Sequence, residues 1–182
     1  HNMQNISAAK EACLACEVSE DDFYNAVQSF EGTSKRLQKL FENELGIAYL
    51  DFAHSPSKVR ATVEAVASRF PEKAVVACLE LHTYSSLSTG FLPLYKGTLD
   101  NASFPFVYYN PHAIRLKRLS PISKEEVKNA FSNPKINVYD NSAEMFSFIQ
   151  KQNFSDVVYL FMSSGDFDGY DLQALAEKLL PV

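Results

Sequence analysis

Over the first thirty residues, apolar and small side chains recur every three or four positions. From residue 35 onward the chain switches to short apolar runs broken by polar turns. A period near 3.6 marks an amphipathic helix, and a run of four to eight apolar residues between turn signals marks a buried strand. The pattern predicts a helix over 3–17 with Ile6, Ala9, Cys13 and Cys16 on one face. A second helix starts after Ser19, where Glu20-Asp21-Asp22 suit a helix N-terminus, buries Phe23, Val27 and Phe30, and stops at Gly32. Residues 37–43 and 47–53 read as an antiparallel hairpin turning around Leu45-Gly46. Helices and strands then alternate. A helix runs from Ser55-Pro56 to about residue 70, a strand over 74–81, a helix over 89–101 despite Pro93, and a strand over 104–109. A helix over 123–131 opens with a Ser123/Glu126 capping box, followed by a strand over 136–139, a helix over 142–150, a strand over 157–162 and a helix over 170–180.

Strands that are apolar throughout and alternate with helices call for a parallel sheet covered on both faces. With right-handed crossovers the expected fold is α/β: a Rossmann-like, open, mostly parallel sheet of about six strands with an antiparallel N-terminal hairpin, preceded by two helices. Ligands of such sheets sit beyond the carboxyl ends of the strands, which selects the loops after Asp51, Leu81, Tyr109 and Met162. Those loops hold His54, His82 and His112, three of the four histidines, together with Ser163-Ser164-Gly165-Asp166.

Composition narrows the classes. An apolar share of 46% with 14 Phe and 9 Tyr fills a core, which excludes disordered and fibrous chains. A net charge of −5 gives no broad attraction to nucleic acid or anionic lipid, so neither is expected as a partner. No apolar run approaches membrane-spanning length and no signal-peptide pattern opens the chain, so a soluble protein is expected. Three cysteines make no disulfide framework, which points to a reducing cytoplasm.

Candidate chemistry is sparse at first sight. The chain has no GxxxxGK[ST] loop, no GxGxxG after a strand and no GxSxG elbow. Cys13-Leu14-Ala15-Cys16 lies inside a predicted helix without a second cysteine pair, so small apolar packing is favoured over metal or redox work. Asp51 ends an apolar strand and His54 precedes a helix start. Both can face the cleft, or Asp51 can satisfy loop N–H groups while His54 is a half-exposed turn residue. Arg36 reads either as a surface arginine or as a fork for phosphate or ribose.

Four segments in order change this reading. His1-Asn2-Met3-Gln4-Asn5-Ile6-Ser7-Ala8-Ala9 resembles the HNxxNxxAA segment of Mur ligases, and Phe30-Glu31-Gly32-Thr33-Ser34-Lys35-Arg36-Leu37-Gln38 resembles their FxGxxRRxE junction. Leu50-Asp51-Phe52-Ala53-His54-Ser55-Pro56 is similar to their DDYAHxP motif, and Glu80-Leu81-His82-Thr83-Tyr84-Ser85 to the loop of xPHTYSR type. Lys35, Gln38, Leu50, Phe52 and Leu81 depart from the pattern, whereas Arg36, Asp51 and His54 keep it. The resemblance spans the chain and points to the branch that joins L-alanine or a recycled peptide to UDP-N-acetylmuramate.

The resemblance implies that residues 1–32 are the last helices of a central ATPase domain and that residues 33–182 are a C-terminal Rossmann-like domain. The UDP-sugar domain and the phosphate loop would lie outside the chain, which is then inactive alone. ATP phosphorylates a carboxylate in this family, and an amine attacks the acyl phosphate to form an amide. His1, Asn2 and Asn5 would contact adenine, Arg36 and Asp51 the ribose and phosphates, and His54 would orient that side. His82, Thr83, Tyr84 and Ser85 would border the acceptor. No residue of the chain is assigned as catalytic or as a metal ligand, the Mg2+ of the family being held by the other parts. The alternatives are a non-catalytic nucleotide- or peptide-binding module and a ligase domain of the folylpolyglutamate synthetase type.

Overall fold

The computed structural model describes residues 2–29 and 36–181 and separates two compact units, residues 1–34 and 35–182. The first unit is a helix pair, α1 (Asn2–Ala15) and α2 (Glu20–Gln28). Ser19 caps α2 by accepting the Asp22 N–H at 3.1 Å, as its sequence suggests. Lys10 ties the helices together through Glu20 at 2.8 Å. Of the expected apolar stripe, Phe23 is buried and Ile6, Cys13 and Val27 are half-buried, but Ala9 and Cys16 are exposed. The packing expected for the Cys13/Cys16 pair is therefore half wrong: α1 ends at Ala15, so Cys16 falls in the turn beyond the helix face. Phe30 and Gly32 lie outside the described residues.

The second unit holds β1 (Gln38–Asn43), β2 (Gly46–Asp51), α3 (Pro56–Arg69), β3 (Ala74–Leu81), β4 (Phe104–Tyr109), α4 (Pro111–Leu116), α5 (Lys124–Phe131), β5 (Asn137–Tyr139), α6 (Ser142–Lys151), β6 (Val157–Met162) and α7 (Leu172–Leu179). The strands form one sheet in the order β1-β2-β6-β3-β4-β5. β1 runs antiparallel to β2, and the β2–β6, β6–β3, β3–β4 and β4–β5 pairs are parallel. The expected α/β fold, six strands and N-terminal hairpin are all present.

The central strands show why their sequences are uniformly apolar. Successive side chains point to opposite faces, and here both faces are covered. Val75, Ala77, Leu79 and Leu81 of β3 and Val158, Leu160 and Met162 of β6 face Val59, Val63 and Val66 of α3 and Val127 and Phe131 of α5. Val76 and Cys78, with Val157, Tyr159 and Phe161, face Met145, Phe146 and Ile149 of α6 and Leu175, Ala176 and Leu179 of α7. The capping box of α5 forms as read, with both Ser123 and Glu126 engaged.

Two local expectations fail. Residues 89–101 are not an α-helix but a chain of turns around one 3-10 turn, Leu92–Tyr95. Pro93 has no N–H to give an α-helical turn, and the Gly97 N–H donates outward to Phe131 O at 3.1 Å. The turns still bury Leu92, Tyr95 and Leu99 at helix-like spacing, which is what misleads the pattern. Conversely, Asn110-Pro111-His112, expected as loop, starts α4. The Asn110 side chain caps it by accepting the N–H groups of His112 at 2.7 Å and Ala113 at 3.2 Å, with Pro111 in the first turn. Among the described residues no helix is long and apolar enough to cross a membrane.

Candidate functional site

The parallel strands bring the loops after β2, β3, β4 and β6 to one edge of the sheet, and β6 between β2 and β3 puts its loop at their centre. At the β2 end, Asp51 sits in a net of backbone donors. Its Oδ2 accepts the Leu37 N–H at 2.7 Å, and its Oδ1 accepts the Ala53 N–H at 2.7 Å and the Thr62 hydroxyl at 3.4 Å. The carboxylate therefore does what the plainer sequence reading allows, satisfying loop N–H groups, and it fixes the residue next to Arg36. Leu37 has φ +47, left-handed backbone that a branched residue rarely adopts.

Arg36 is exposed and lays its guanidinium over the Phe52 ring, 5.7 Å from the centroid. It makes no ion pair among the described residues. Phe52 meets the His54 ring edge-on at 5.1 Å. His54 Nδ1 lies 2.8 Å from Phe52 O; a carbonyl can only accept, so the proton is on Nδ1 and Nε2 carries the lone pair. The Tyr95 hydroxyl donates to His54 O and anchors the turn, and burial pushes its pKa up to about 12. Arg36, Asp51 and His54 are thus gathered on one side of the edge. His1 and the Asn2 side chain lie outside the described residues, and Asn5 is exposed on α1 in the other unit.

At the β3 end, Thr83 Oγ1 accepts the Ser86 N–H at 3.1 Å and donates to Ser86 Oγ at 3.0 Å, so this hydroxyl shapes its own turn. Tyr84 is 63% exposed and carries Lys117, which follows α4, over its ring at 5.4 Å; Ser85 is exposed as well. His82 is half-exposed, with Nδ1 3.5 Å from the Glu80 carboxylate.

Glu80 and Asp168 are residues that the sequence reading passes over. Glu80 is buried and accepts the Ser163 hydroxyl and the Phe167 N–H. Ser163 in turn donates its N–H to Asp51 O at 3.1 Å, which links the β2 and β3 ends through β6. Asp168 gathers the Tyr108 hydroxyl, the Asn110 amide at 2.5 Å and the Ser142 hydroxyl at 3.1 Å. Burial and the Asp168 carboxylate both push the Tyr108 phenol up. A charged residue inside the apolar run AVVACLEL is the available signal for Glu80, because buried carboxylates persist only within hydrogen-bond networks. Among the described residues no group of three or more His, Cys, Asp or Glu side chains could hold a metal ion.

No protein-family model matches the chain. Curated relatives do, among them proteins named UDP-N-acetylmuramate–L-alanine ligase that align with most of it. The protein of Hydrogenobaculum sp. strain Y04AAS1 is 27% identical, with 91% of this chain aligned to 36% of that protein. Among solved structures, a murein peptide ligase of Psychrobacter arcticus superposes with a TM-score of 0.74 at 20% identity, covering 100% of this chain and 37% of that one. The MurF ligase of Thermotoga maritima in complex with ADP superposes at 0.60 with 18% identity, over 98% of this chain and 36% of that one. Sequence likeness and shared fold together support a Mur ligase C-terminal domain as the class of this chain. Several UDP-N-acetylmuramate–L-alanine ligases align with 91% or more of this chain, and the chain spans a little over a third of their length.

Proposed function

We propose that this chain is the C-terminal part of an ATP-dependent, amide-forming ligase that joins an amino acid or peptide to UDP-N-acetylmuramate in peptidoglycan synthesis or recycling, in the cytoplasm. The observation that carries the reading is the alignment of nearly the whole chain with ligases of that name. When bound, ATP would supply the phosphoryl group that activates the donor carboxylate, and its Mg2+ would be held by domains outside this chain.

The residues of this chain fit the remaining tasks. Arg36 offers its guanidinium to phosphate, which pairs with it in a bidentate fork. Asp51 holds the Arg36–Leu37 backbone in place through the Leu37 N–H and keeps lone pairs for ribose hydroxyls. His54 presents Nε2 beside them. His1, Asn2 and Asn5 would read the adenine edge from the helix pair. The His82–Ser85 loop would border the acceptor, where exclusion of water lets the amine win over hydrolysis.

The test joins the chain to the UDP-sugar and central domains of the Hydrogenobaculum relative. ATP-dependent amide formation is then followed with L-alanine, a diaminopimelate-containing peptide or a folate as acceptor. Ligation to UDP-N-acetylmuramate is expected in the assembly and not in the 182-residue chain alone. Arg36→Ala should lower kcat/KM by about 10- to 100-fold, the worth of a lost hydrogen bond to a charged group. Nucleotide binding without ligation of any acceptor would favour the non-catalytic module, and turnover with folate alone would favour the folylpolyglutamate type.

A further inference from the structure

The buried charge left without a task in this scheme is Glu80. It is 3% exposed, and among the described residues no lysine or arginine reaches ion-pair distance of it. Its two oxygens have different surroundings. Oε2 accepts both the Ser163 hydroxyl and, at 3.0 Å, the Phe167 N–H; Oε1 faces His82 Nδ1 at 3.5 Å. Gly165 closes the arrangement from a third side: a Cβ there would stand 2.8 Å from both Glu80 Oε2 and His82 Nδ1. One edge of the imidazole is thus packed against the carboxylate and the β6 loop. The His82 side chain is 42% exposed, and Nε2 lies across the ring from the packed Nδ1.

We propose that Glu80 is a positioning residue: it holds His82 with Nδ1–H toward the buried carboxylate and the Nε2 lone pair toward the opposite edge, where it takes the proton that an incoming acceptor ammonium must lose. The proton-transfer half rests on the ligase reading above, whereas the ring orientation stands without it. In the step, one N–H bond of the ammonium breaks and its electron pair stays on nitrogen as the lone pair of a neutral amine. That first proton forms a bond to Nε2, and the imidazolium charge falls beside Glu80. When the lone pair forms the C–N bond, the acyl C–O bond to phosphate breaks, phosphate leaves with its electron pair, and the second nitrogen proton passes to the departing phosphate. A base placed and oriented in this way contributes about 10²- to 10⁴-fold.

The test is nitrogen-15 NMR of the labelled 182-residue chain above about pH 8, where imidazoles are neutral. His82 is expected as the Nδ1–H tautomer. In Glu80→Gln, the atom that accepts two donors must remain oxygen, so the amide NH2 takes the place of Oε1. It then donates to Nδ1 and drives the proton to Nε2. His82 should switch tautomer while His54 and His112 stay unchanged. Should the Glu80→Gln variant fail to fold, Gly165→Ala supplies a second arm, because its Cβ displaces the solvent-open ring rather than the buried carboxylate and the Nδ1–H preference is lost. A His82 already in the Nε2–H form, or one indifferent to both substitutions, overturns the proposal.

In the assembled ligase, Glu80→Gln should lower kcat at least about 10-fold with acceptor KM held within about threefold, since the lost contact acts on the chemical step. An unchanged kcat with a switched tautomer would overturn the proton-transfer half. Failure of the ligase reading would instead show as an assembly inactive even with Glu80 in place, with the NMR result untouched.

Discussion

Asp51 carries two tasks, and replacing it with alanine separates them. In the structure its carboxylate accepts two short backbone bonds, from Leu37 and Ala53, both at 2.7 Å. Hydrogen bonds to a charged group contribute about 1.5–3 kcal/mol each, and the low end applies because the group is half-buried, giving a loss of about 3 kcal/mol. Part of that returns. Leu37 is held at φ +47, and releasing a left-handed residue recovers about 1 kcal/mol. The net expectation for Asp51→Ala is therefore about 2 kcal/mol, which for a chain of this size lowers Tm by about 4–8 °C. Asp51→Asn keeps one acceptor oxygen and should lose roughly half as much. Urea unfolding gives the stability, and amide exchange at Leu37 and Ala53 reports where the loss occurs. Both amides should exchange faster in Asp51→Ala. A midpoint unchanged from the parent, with Leu37 still protected, would refute the anchoring role and leave the carboxylate free for a ligand only.

Two further outcomes follow from packing and burial. A Cβ at Gly46 would stand 2.2 Å from the Val157 carbonyl oxygen, a backbone atom that cannot swing aside. Gly46→Ala should thus cost about 3 kcal/mol, the upper range for overpacking, read as a lower urea midpoint; a change below about 0.5 kcal/mol would contradict the close approach. The Tyr95 and Tyr159 phenols are pushed by burial to about 12 in the folded chain. A pKa raised above its unfolded value of about 10 favours the neutral form, so the stability it contributes is complete below about pH 10 and is lost as pH climbs through the folded value. The buried Cys78 thiol is pushed up as well, from an unfolded value of about 8.5. The urea midpoint should therefore be level to about pH 8, fall gently as the thiol's contribution is lost, and fall more steeply above about pH 10, less so in Tyr159→Phe; a midpoint level to about pH 11 would refute this.

The elements most legible in the sequence are those whose burial is complete. Residues 74–81, 104–109 and 157–162 are strands end to end as read, because a strand covered on both faces needs apolar residues at every position. The Ser123/Glu126 box is equally plain, since its partners are three residues apart. Spacing misleads where turns imitate a helix, at Leu92, Tyr95 and Leu99, and α4 escapes notice because six residues with Ile114 alone buried leave no period to detect. At the candidate site the topology rule selects loops that the sheet does bring to one edge, and the grouping of Arg36, Asp51 and His54 at the β2 end is legible from local motif. The Glu80–Ser163 and Tyr108–Asp168 pairs are not, because each joins strands or loops that become neighbours only once β6 takes its place in the sheet.

That placement also sets the order in which the molecule can be completed. β6 is synthesised after the other five strands of this sheet, yet it is the keystone: Val157 pairs with both Gly46 and Ala74, far back along the chain. Before it arrives, the β1–β2 hairpin and the β3–β4–β5 ribbon have no common seam, and each presents an apolar edge. Such distant pairing bears its loop-closure entropy before any contact repays it, which makes folding slow and the half-built sheets prone to stick to other chains. A ribosome-bound intermediate halted ahead of residue 157 should therefore be a client for chaperones, and the docking of β6 and the loop that follows it should be the moment at which the edge gathering Asp51, Glu80 and Asp168 first comes into being.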